Sequence, residues 1–268
     1  MYIKAQALGN DFLLKRVDRL PEPGDVAAEA RAVCDRHRGV GADGLMFVQP
    51  IAGGARSQLI NADGGPAEVS GNGVRCVAAW LAAEADLSAG ATVVVHTPAG
   101  PKTLTLLGSA GSRWTFRAAM GQPEPPRKVS LDVGGSSLEV IVLGMGNPQC
   151  VVLGPISETQ LHALGGPLAT HPAFPAGTNV EFVHVVAPDR LDILIWERGV
   201  GPTQSSGTGA CAAAVAAAAF GGAARRVRVA SPGGTQDVEW TDDGVWLTGW
   251  AELVATVTPW LPAKGTGS

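Results

Sequence analysis

The sequence contains the same short pattern twice: a serine, a glycine, a polar residue and a glycine, followed by an alanine-rich run. The first copy begins at Ser70 and the second at Ser206, which is 136 positions later in a chain of 268 residues. Each copy is typical of a helix start, because serine is a favoured N-cap residue and glycine lets a ligand approach the backbone closely. A pattern repeated at half the chain length predicts two half-domains that face one shared site.

Four further pairs of segments repeat in the same order, at offsets between 132 and 137 residues. This unit is far longer than the roughly 20–50 residues of a solenoid repeat, so it corresponds to a whole half-domain of about 130 residues. The matched pairs are Gly9-Asn10 with Gly146-Asn147, 41–48 with 177–183, 97–100 with 231–234, and Trp114 with Trp246.

The apolar patterning predicts a similar order of strands and helices in the two halves. The proline-rich stretch 122–126 is the predicted crossover between them, and the last predicted strand covers 245–247. The predicted helices cover 25–37, 71–86, 157–164 and 207–220.

Composition indicates a compact soluble protein, since 46% of the residues are hydrophobic and 16% are charged. The net charge of −4 gives no broad attraction for nucleic acid or for an anionic membrane, so neither is an expected partner. No apolar run approaches the roughly 20 residues that span a bilayer, and the N-terminus lacks the apolar core of a signal peptide. We therefore expect a cytoplasmic protein. The four cysteines form no CxxC pair and no zinc-binding spacing, so no metal site is predicted.

Two helix starts from opposite halves are expected to bind one carboxylate, because a helix N-terminus presents unpaired N–H groups and a partial positive charge. Ser70 and Ser206 would then flank the α-carbon of the ligand from opposite faces, a geometry that inverts a stereocentre without a cofactor. Taken alone, each Ser-Gly pair is only a helix cap. The prediction of a shared site also rests on polar residues in turns that the repeat brings to the same crevice: Asn10, Asn61, Asn147, Asn179, Glu197 and Arg198.

At these residues the sequence resembles the diaminopimelate epimerases, which are pyridoxal-independent amino-acid epimerases. The resemblance covers nearly the whole chain, and in combination its motifs are highly specific. They are Leu8-Gly9-Asn10-Asp11-Phe12, Gly39-Val40-Gly41-Ala42-Asp43-Gly44, Asn61-Ala62-Asp63-Gly64, Gly71-Asn72-Gly73-Val74-Arg75-Cys76, Met145-Gly146-Asn147-Pro148, Glu197-Arg198-Gly199 and Gly207-Thr208-Gly209-Ala210-Cys211.

The resemblance implies an α/β (α+β) fold of two pseudo-twofold-related half-domains, each a mixed sheet wrapped around a central helix, with the active site between them. The expected halves are 1–118 and 119–254, with a C-terminal strand at about 255–268 completing the first. It further implies interconversion of LL- and meso-diaminopimelate, no cofactor and a homodimer. The side chains of the six polar residues would hold the two amino-acid ends of the substrate, and backbone N–H groups would hold the reacting carboxylate. Those backbone groups belong to Gly71, Asn72, Gly207 and Thr208.

The sequence departs from the family at the positions of the catalytic residues. The family has catalytic cysteines where this chain has Ser70 and Ser206, usually histidine where it has Gln149, and commonly glutamate where it has Pro202. A thiol reaches the thiolate at modest cost because its pKa is about 8.5, whereas a serine hydroxyl needs a partnered base. We therefore expect substrate binding to persist and epimerisation to be impaired or lost.

Three interpretations remain open from the sequence. The chain is an epimerase whose two cysteines were replaced, or a natural homologue that runs another proton transfer or isomerisation on a small carboxylate, or a non-catalytic amino-acid-binding homologue. The paired serines favour the first interpretation. Gln149 and Pro202 favour the second, because a designed exchange of the cysteines would not need them.

Overall fold

Four helices stand out in the computed structural model, which describes residues 1–67, 70–258 and 260. The two central helices match the predicted ones, with 207–220 reproduced in full. The first helix ends three residues earlier than predicted, because the chain turns after Cys34, and the third runs five residues further. The helices are α1 (Pro23–Cys34), α2 (Gly71–Glu84), α3 (Glu158–Ala169) and α4 (Gly207–Phe220).

Seventeen strands are present in the described part of the chain. Those of the first half are β1 (Tyr2–Ala7), β2 (Asn10–Arg16), β3 (Gly44–Ile51), β4 (Gly54–Asn61), β5 (Pro66–Ala67), β6 (Thr92–Thr97), β7 (Gly100–Ala110) and β8 (Arg113–Gly121). Those that follow are β9 (Arg127–Val133), β10 (Ser136–Gly144), β11 (Pro148–Leu153), β12 (Asn179–Ala187), β13 (Arg190–Glu197), β14 (Gly201–Thr203), β15 (Arg226–Ser231), β16 (Gly234–Thr241) and β17 (Gly244–Val257). The predicted crossover 122–126 contains neither helix nor strand.

In the first half, eight strands close a ring of pairings around α2. The order is β1, β2, β3, β4, β6, β7, β8 and β17, which returns to β1. The helix is buried on nearly all sides, as expected for an alanine- and valine-rich helix inside a sheet. Val77 and Trp80 of this helix pack with Phe116 and Leu104 of the surrounding strands.

The second half repeats the arrangement around α4. Strands β9 to β13 pair in chain order, β13 pairs with β15, and β15, β16 and β17 continue the sheet. The side chains of α4 from Ala210 to Ala217 are buried against these strands, so this helix is also the centre of a core. Each half is therefore a mixed sheet wrapped around one central helix, as predicted.

Strand β17 connects the two halves because it pairs with strands of both. Its first residues pair with β16, and residues 252–257 pair with β1. The sequence predicted a strand at 245–247, and the resemblance implied another at about 255–268, whereas β17 is one continuous strand from Gly244 to Val257. Gly249 within it leaves room for a neighbour, because a Cβ there would lie 3.2 Å from Cζ of Arg75.

The half-domain boundaries at 118/119 and 254/255 stay a prediction. The pairing of β17 with β1 is consistent with a C-terminal strand that completes the first half, but Pro259 and residues 261–268 lie outside the described residues. None of the helices in the described part of the chain has the length and apolar character needed to span a bilayer.

Candidate active site

Both repeated serines cap the helices that they begin. Ser70 Oγ accepts a hydrogen bond of 3.1 Å from the Gly73 N–H, and Ser206 Oγ accepts one of 3.2 Å from the Gly209 N–H. The cap role expected for Ser-Gly is therefore confirmed at both positions. The earlier N–H groups of each first turn, at Gly71 and Asn72 in α2 and at Gly207 and Thr208 in α4, have no acceptor within their own helix, as for any helix start.

Direct hydrogen bonds hold the two helix starts beside each other. The Asn72 side chain of α2 is buried and its Nδ2 donates to Ser205 Oγ, next to the start of α4, over 3.0 Å. The same Nδ2 lies 3.4 Å from Asn10 Oδ1. Arg75 donates to Asn72 Oδ1 and, over 3.2 Å, to Gln236 Oε1 of β16. The turns that the sequence pattern assigned to opposite halves thus meet.

Arg75 is a buried cation between the halves, and burial lowers the pKa of its guanidinium to about 10. Its hydrogen bonds are to neutral amides, and its Nε has no hydrogen-bond partner among the described residues. The guanidinium therefore adds positive charge close to both helix starts, where an anion is expected to bind.

A carboxylate cluster that the predicted site did not include lies beside Asn10. Asn10 Nδ2 donates to Asp43 Oδ2 over 2.6 Å, and Arg36 forms an ion pair of 2.7 Å with Asp43. Asn61, at the end of β4, adjoins this cluster because the N–H of Ala62 bonds to the carbonyl of Asp43. The sequence signal for Asp43 was its place in the family motif 39–44, to which no site role was assigned.

Glu197 of the second half faces this cluster. Burial raises the pKa of its carboxyl group, and the charge of Asp43 raises it further. This charge effect is consistent with Glu197 and Asp43, from opposite halves, lying near each other. Glu197 Oε1 accepts a hydrogen bond of 3.3 Å from the Thr203 hydroxyl.

The remaining predicted residues gather at the carboxyl-terminal half of the site. Asn179 Oδ1 accepts a hydrogen bond of 2.9 Å from the N–H of Arg198, whose Nη1 donates to Ala176 O over 2.8 Å. Asn147 Oδ1 accepts from Gln149 Nε2 over 2.6 Å, and Gln149 is paired with Asn179 in adjacent parallel strands. A cavity of about 540 Å³ borders Asn147 and Gln149, and another of about 690 Å³ borders Arg198. Neither cavity is lined by Ser70 or Ser206.

Glu181 is a buried acid beside α4 that sequence analysis missed. It is 0% exposed, and neither carboxyl oxygen has a hydrogen-bond partner among the described residues. Burial, and secondarily the charge of Glu197, raises the pKa of this group well above its ordinary value. A Cβ built on Gly209 would lie 2.8 Å from Glu181 Oε1 and 3.2 Å from Ser206 Oγ, so the acid lies next to the serine-capped turn.

The sequence matches the family model for diaminopimelate epimerase over residues 2–124 and 141–254. The chain is 43% identical over 273 residues to diaminopimelate epimerase of Desulforudis audaxviator, covering 94% of this chain and 96% of that protein. It is 40% identical over 276 residues to the enzyme of Microcystis aeruginosa, with the same coverage.

The chain belongs to the diaminopimelate epimerase family. The predicted family, and with it an epimerase-like isomerase function, is confirmed. The roles of individual residues stay predictions. Hydrogen bonds link Asn10 and Asn72 with Ser205 at the helix starts, whereas Asn147, Asn179, Glu197 and Arg198 lie in strand ends and turns of the second half.

Solved structures agree on the fold. A predicted epimerase from Pseudomonas aeruginosa superposes with a TM-score of 0.73 at 16% identity, covering 97% of this chain and 99% of that one. A probable proline racemase from Agrobacterium radiobacter superposes with a TM-score of 0.71 at 16% identity, covering 98% and 94%. The predicted fold class is confirmed.

Proposed function

We propose that this protein binds diaminopimelate between its two helix starts and catalyses cofactor-independent proton transfer at the α-carbon, slowly because both acid–base positions are serine. The observation that carries the proposal is the hydrogen bond between Asn72 and Ser205, which holds the two serine-capped turns together. The relatives of this chain are named diaminopimelate epimerase, and the proposal assigns the same activity to this chain.

The paired helix starts suit the reacting carboxylate. First-turn N–H groups from α2 and α4 donate to its oxygens, and the helix dipoles favour its negative charge. When the α-proton leaves, negative charge moves into this carboxylate, so the same donors stabilise the intermediate more than the substrate. Each such donor contributes about 3–4 kcal/mol to lowering the barrier in comparable sites.

The other end of the substrate is an amino acid too, and the second-half cluster has groups of both signs for it. Arg198 is a donor for the distal carboxylate, and Glu197 is an acceptor for an ammonium group. Asn147 and Asn179 supply amide groups of both kinds, and Asn61 adds another from the first half. Burial raises the pKa of Glu197, and a bound ammonium ion would offset this shift because it favours the ionised form.

The serines account for the proposed low rate. In the described part of the chain, each hydroxyl oxygen has a backbone N–H as its hydrogen-bond partner and no ionisable side chain in direct contact. A hydroxyl is a weak base without such a contact. Binding should be affected far less, because serine and cysteine have nearly the same shape.

A second candidate is another proton transfer or isomerisation on a small carboxylate in the same fold. It is favoured by the unequal neighbours of the two serines, since Glu181 lies beside the turn of Ser206 and Met46 beside that of Ser70. One side with an ionisable carboxyl group and one side without any suit a reaction that does not need matched bases. A non-catalytic binding protein is the third possibility carried from the sequence.

Calorimetry separates these functions. We expect LL- and meso-diaminopimelate to bind, and lysine, which lacks the distal carboxylate, to bind about 10- to 100-fold more weakly through loss of charge-assisted contacts. Absence of binding to both stereoisomers would contradict the proposed substrate. Deuterium incorporation at the α-carbon in D₂O then distinguishes a slow epimerase from a protein that only binds.

We also propose a cytoplasmic homodimer. The support is the family resemblance together with the solvent-exposed Leu107 and Val254, which are 47% and 56% exposed on β7 and β17. Light scattering after size-exclusion chromatography tests the dimer, and a monomeric mass at micromolar concentration would contradict it.

A further inference from the structure

One buried acid in this structure has no assigned partner and lies beside a serine that needs one. Glu181 Oε1 and Ser206 Oγ are 2.8 and 3.2 Å from the same point, the position that a Cβ of Gly209 would occupy. Because glycine has no Cβ, nothing on that residue separates the two oxygens. Both Glu181 oxygens are buried without a hydrogen-bond partner among the described residues, so the carboxyl group is available.

The Ser206 hydroxyl group has an unused hydrogen-bond donor, which such a contact requires. Its oxygen accepts from the Gly209 N–H, which leaves the hydroxyl hydrogen to donate elsewhere. The serine side chain itself is only 7% exposed, so bulk water offers little competition for that hydrogen. The two oxygens are at most 6.0 Å apart, the sum of the distances of 2.8 and 3.2 Å, and the relay requires side-chain rotation to close that gap.

We propose that Glu181 is the proton-relay partner of Ser206, acting on the substrate only through the serine hydroxyl. This inference rests on the proposed function for its substrate. In the delivery direction, the Ser206 O–H bond breaks as its proton forms the new C–H bond with the electron pair of the α-carbanion. The Glu181 O–H proton moves to Ser206 Oγ at the same time, which leaves a serine hydroxyl and a Glu181 carboxylate. Proton removal follows the same path in reverse.

The surroundings keep Glu181 in the form that delivery needs. The titratable groups that face it are Cys150 on β11 and Glu197 on β13, and the first turn of α4 contributes no acidic residue. No cation is among the groups that shift its titration, so burial dominates and the pKa is raised. The raised pKa favours the neutral carboxylic acid, which is the form that a general acid needs.

The first half offers a matched control at Met46. In the parallel pair of β2 and β3, Met46 is opposite Leu14, and in the parallel pair of β11 and β12, Glu181 is opposite Val151. A Cβ on Gly73 would lie 2.7 Å from Met46 Sδ, the same relation that Gly209 has to Glu181. The relay is therefore built on one serine only.

Infrared difference spectroscopy tests the contact without requiring activity. Wild type minus Glu181→Gln should show the C=O stretch of one protonated carboxyl group, and Ser206→Ala should shift that band, whereas Met46→Leu and Ser70→Ala should not. A band that Ser206→Ala leaves in place would overturn the relay. If Glu181→Gln does not fold, ¹³C-labelled glutamate in the wild type and in Ser206→Ala gives the same comparison.

Deuterium exchange at the α-carbon of diaminopimelate tests the step itself. Glu181→Gln should lower the exchange rate about 100-fold and flatten its pH dependence, with the KM unchanged. Met46→Leu should leave the exchange rate and its pH dependence unchanged. Full activity with an unchanged pH profile in Glu181→Gln would overturn the proposal. If the wild type shows no deuterium exchange with any stereoisomer of diaminopimelate, the proposed function is contradicted. The infrared comparison alone then decides whether Glu181 and Ser206 are coupled.

Discussion

The two halves of this protein present the same helix start over different neighbours. Ser70 and Ser206 cap their helices over nearly equal distances, 3.1 and 3.2 Å. At the equivalent strand position, the first half carries Met46 and the second carries Glu181. The repeat therefore reproduces the backbone geometry for which we propose carboxylate binding, while only one side has an ionisable group next to its serine. Binding geometry and proton chemistry are separable features of this fold.

The largest expected effect comes from restoring thiols. The double change Ser70→Cys and Ser206→Cys should raise deuterium exchange at the α-carbon about 10²- to 10⁴-fold, since a thiol ionises near neutral pH and a hydroxyl does not. Of the single variants, Ser70→Cys should give the larger gain, because Ser70 has no acid beside it. A larger gain from Ser206→Cys would reverse the proposed asymmetry.

The pH dependence of stability should distinguish Glu181 from Met46. A glutamate in the unfolded chain ionises near pH 4.3, whereas burial raises the pKa of Glu181 well above its ordinary value in the folded protein. The free energy of unfolding should therefore fall as pH rises above about 4.3, by at most about 1.4 kcal/mol per pH unit, until the folded pKa is reached.

Glu181→Gln removes this loss, so its stability relative to wild type should improve between pH 5 and pH 7 in urea unfolding. Met46→Leu serves as the control, with a difference from wild type that does not vary with pH. If the free energies of unfolding of wild type and Glu181→Gln change with pH in parallel, Glu181 is ionised in the folded protein.

Asn72 and Thr208 occupy equivalent places in the two first turns but have different contacts. Asn72 is buried and bonds to Ser205 and Arg75, whereas Thr208 is only partly buried. Asn72→Ala should cost about 1–3 kcal/mol of unfolding free energy, because it leaves buried donors unpaired. Thr208→Ala should stay within about 0.5 kcal/mol of wild type. Equal costs in chemical denaturation would show that the halves are not joined through Asn72.

The last comparison concerns the glycines of the two turns. An added methyl group at Gly209 meets Glu181 and Ser206 together, and one at Gly73 meets mainly the flexible end of Met46. Gly209→Ala should therefore destabilise the protein by about 1–3 kcal/mol, and Gly73→Ala by less. The difference in melting temperature between the two variants measures this, and the opposite order would argue against the close packing of Glu181.

The sequence predicted the parts of the fold that local signals specify. Serine caps and alanine-rich runs located α2 and α4 within two residues, and the repeat predicted that two turns face each other. The short strands β5 and β14 were missed because two or three residues carry no period. Strand β17 is longer than the predicted 245–247, and it includes Gly249, which makes room for Arg75 of the other half.

The candidate site shows the same limit. The predicted asparagines, Glu197 and Arg198 were recognised from turn patterns and from family resemblance. Asp43 and Glu181 were missed because their importance depends on long-range packing: one charged residue in 179–187 is compatible with a solvent-facing position. Only the pairing of β12 with β11 and β13, with α4 across it, makes Glu181 a buried acid.

The most direct test of the shared carboxylate site is a crystal structure of the wild-type chain with LL-diaminopimelate, which the slow serine pair should leave largely unconverted. We predict that the reacting carboxylate accepts hydrogen bonds from backbone N–H groups of both first turns, Gly71–Asn72 and Gly207–Thr208, with the α-carbon between Ser70 and Ser206. A carboxylate bound at one helix start alone, or outside the space between them, would contradict the account.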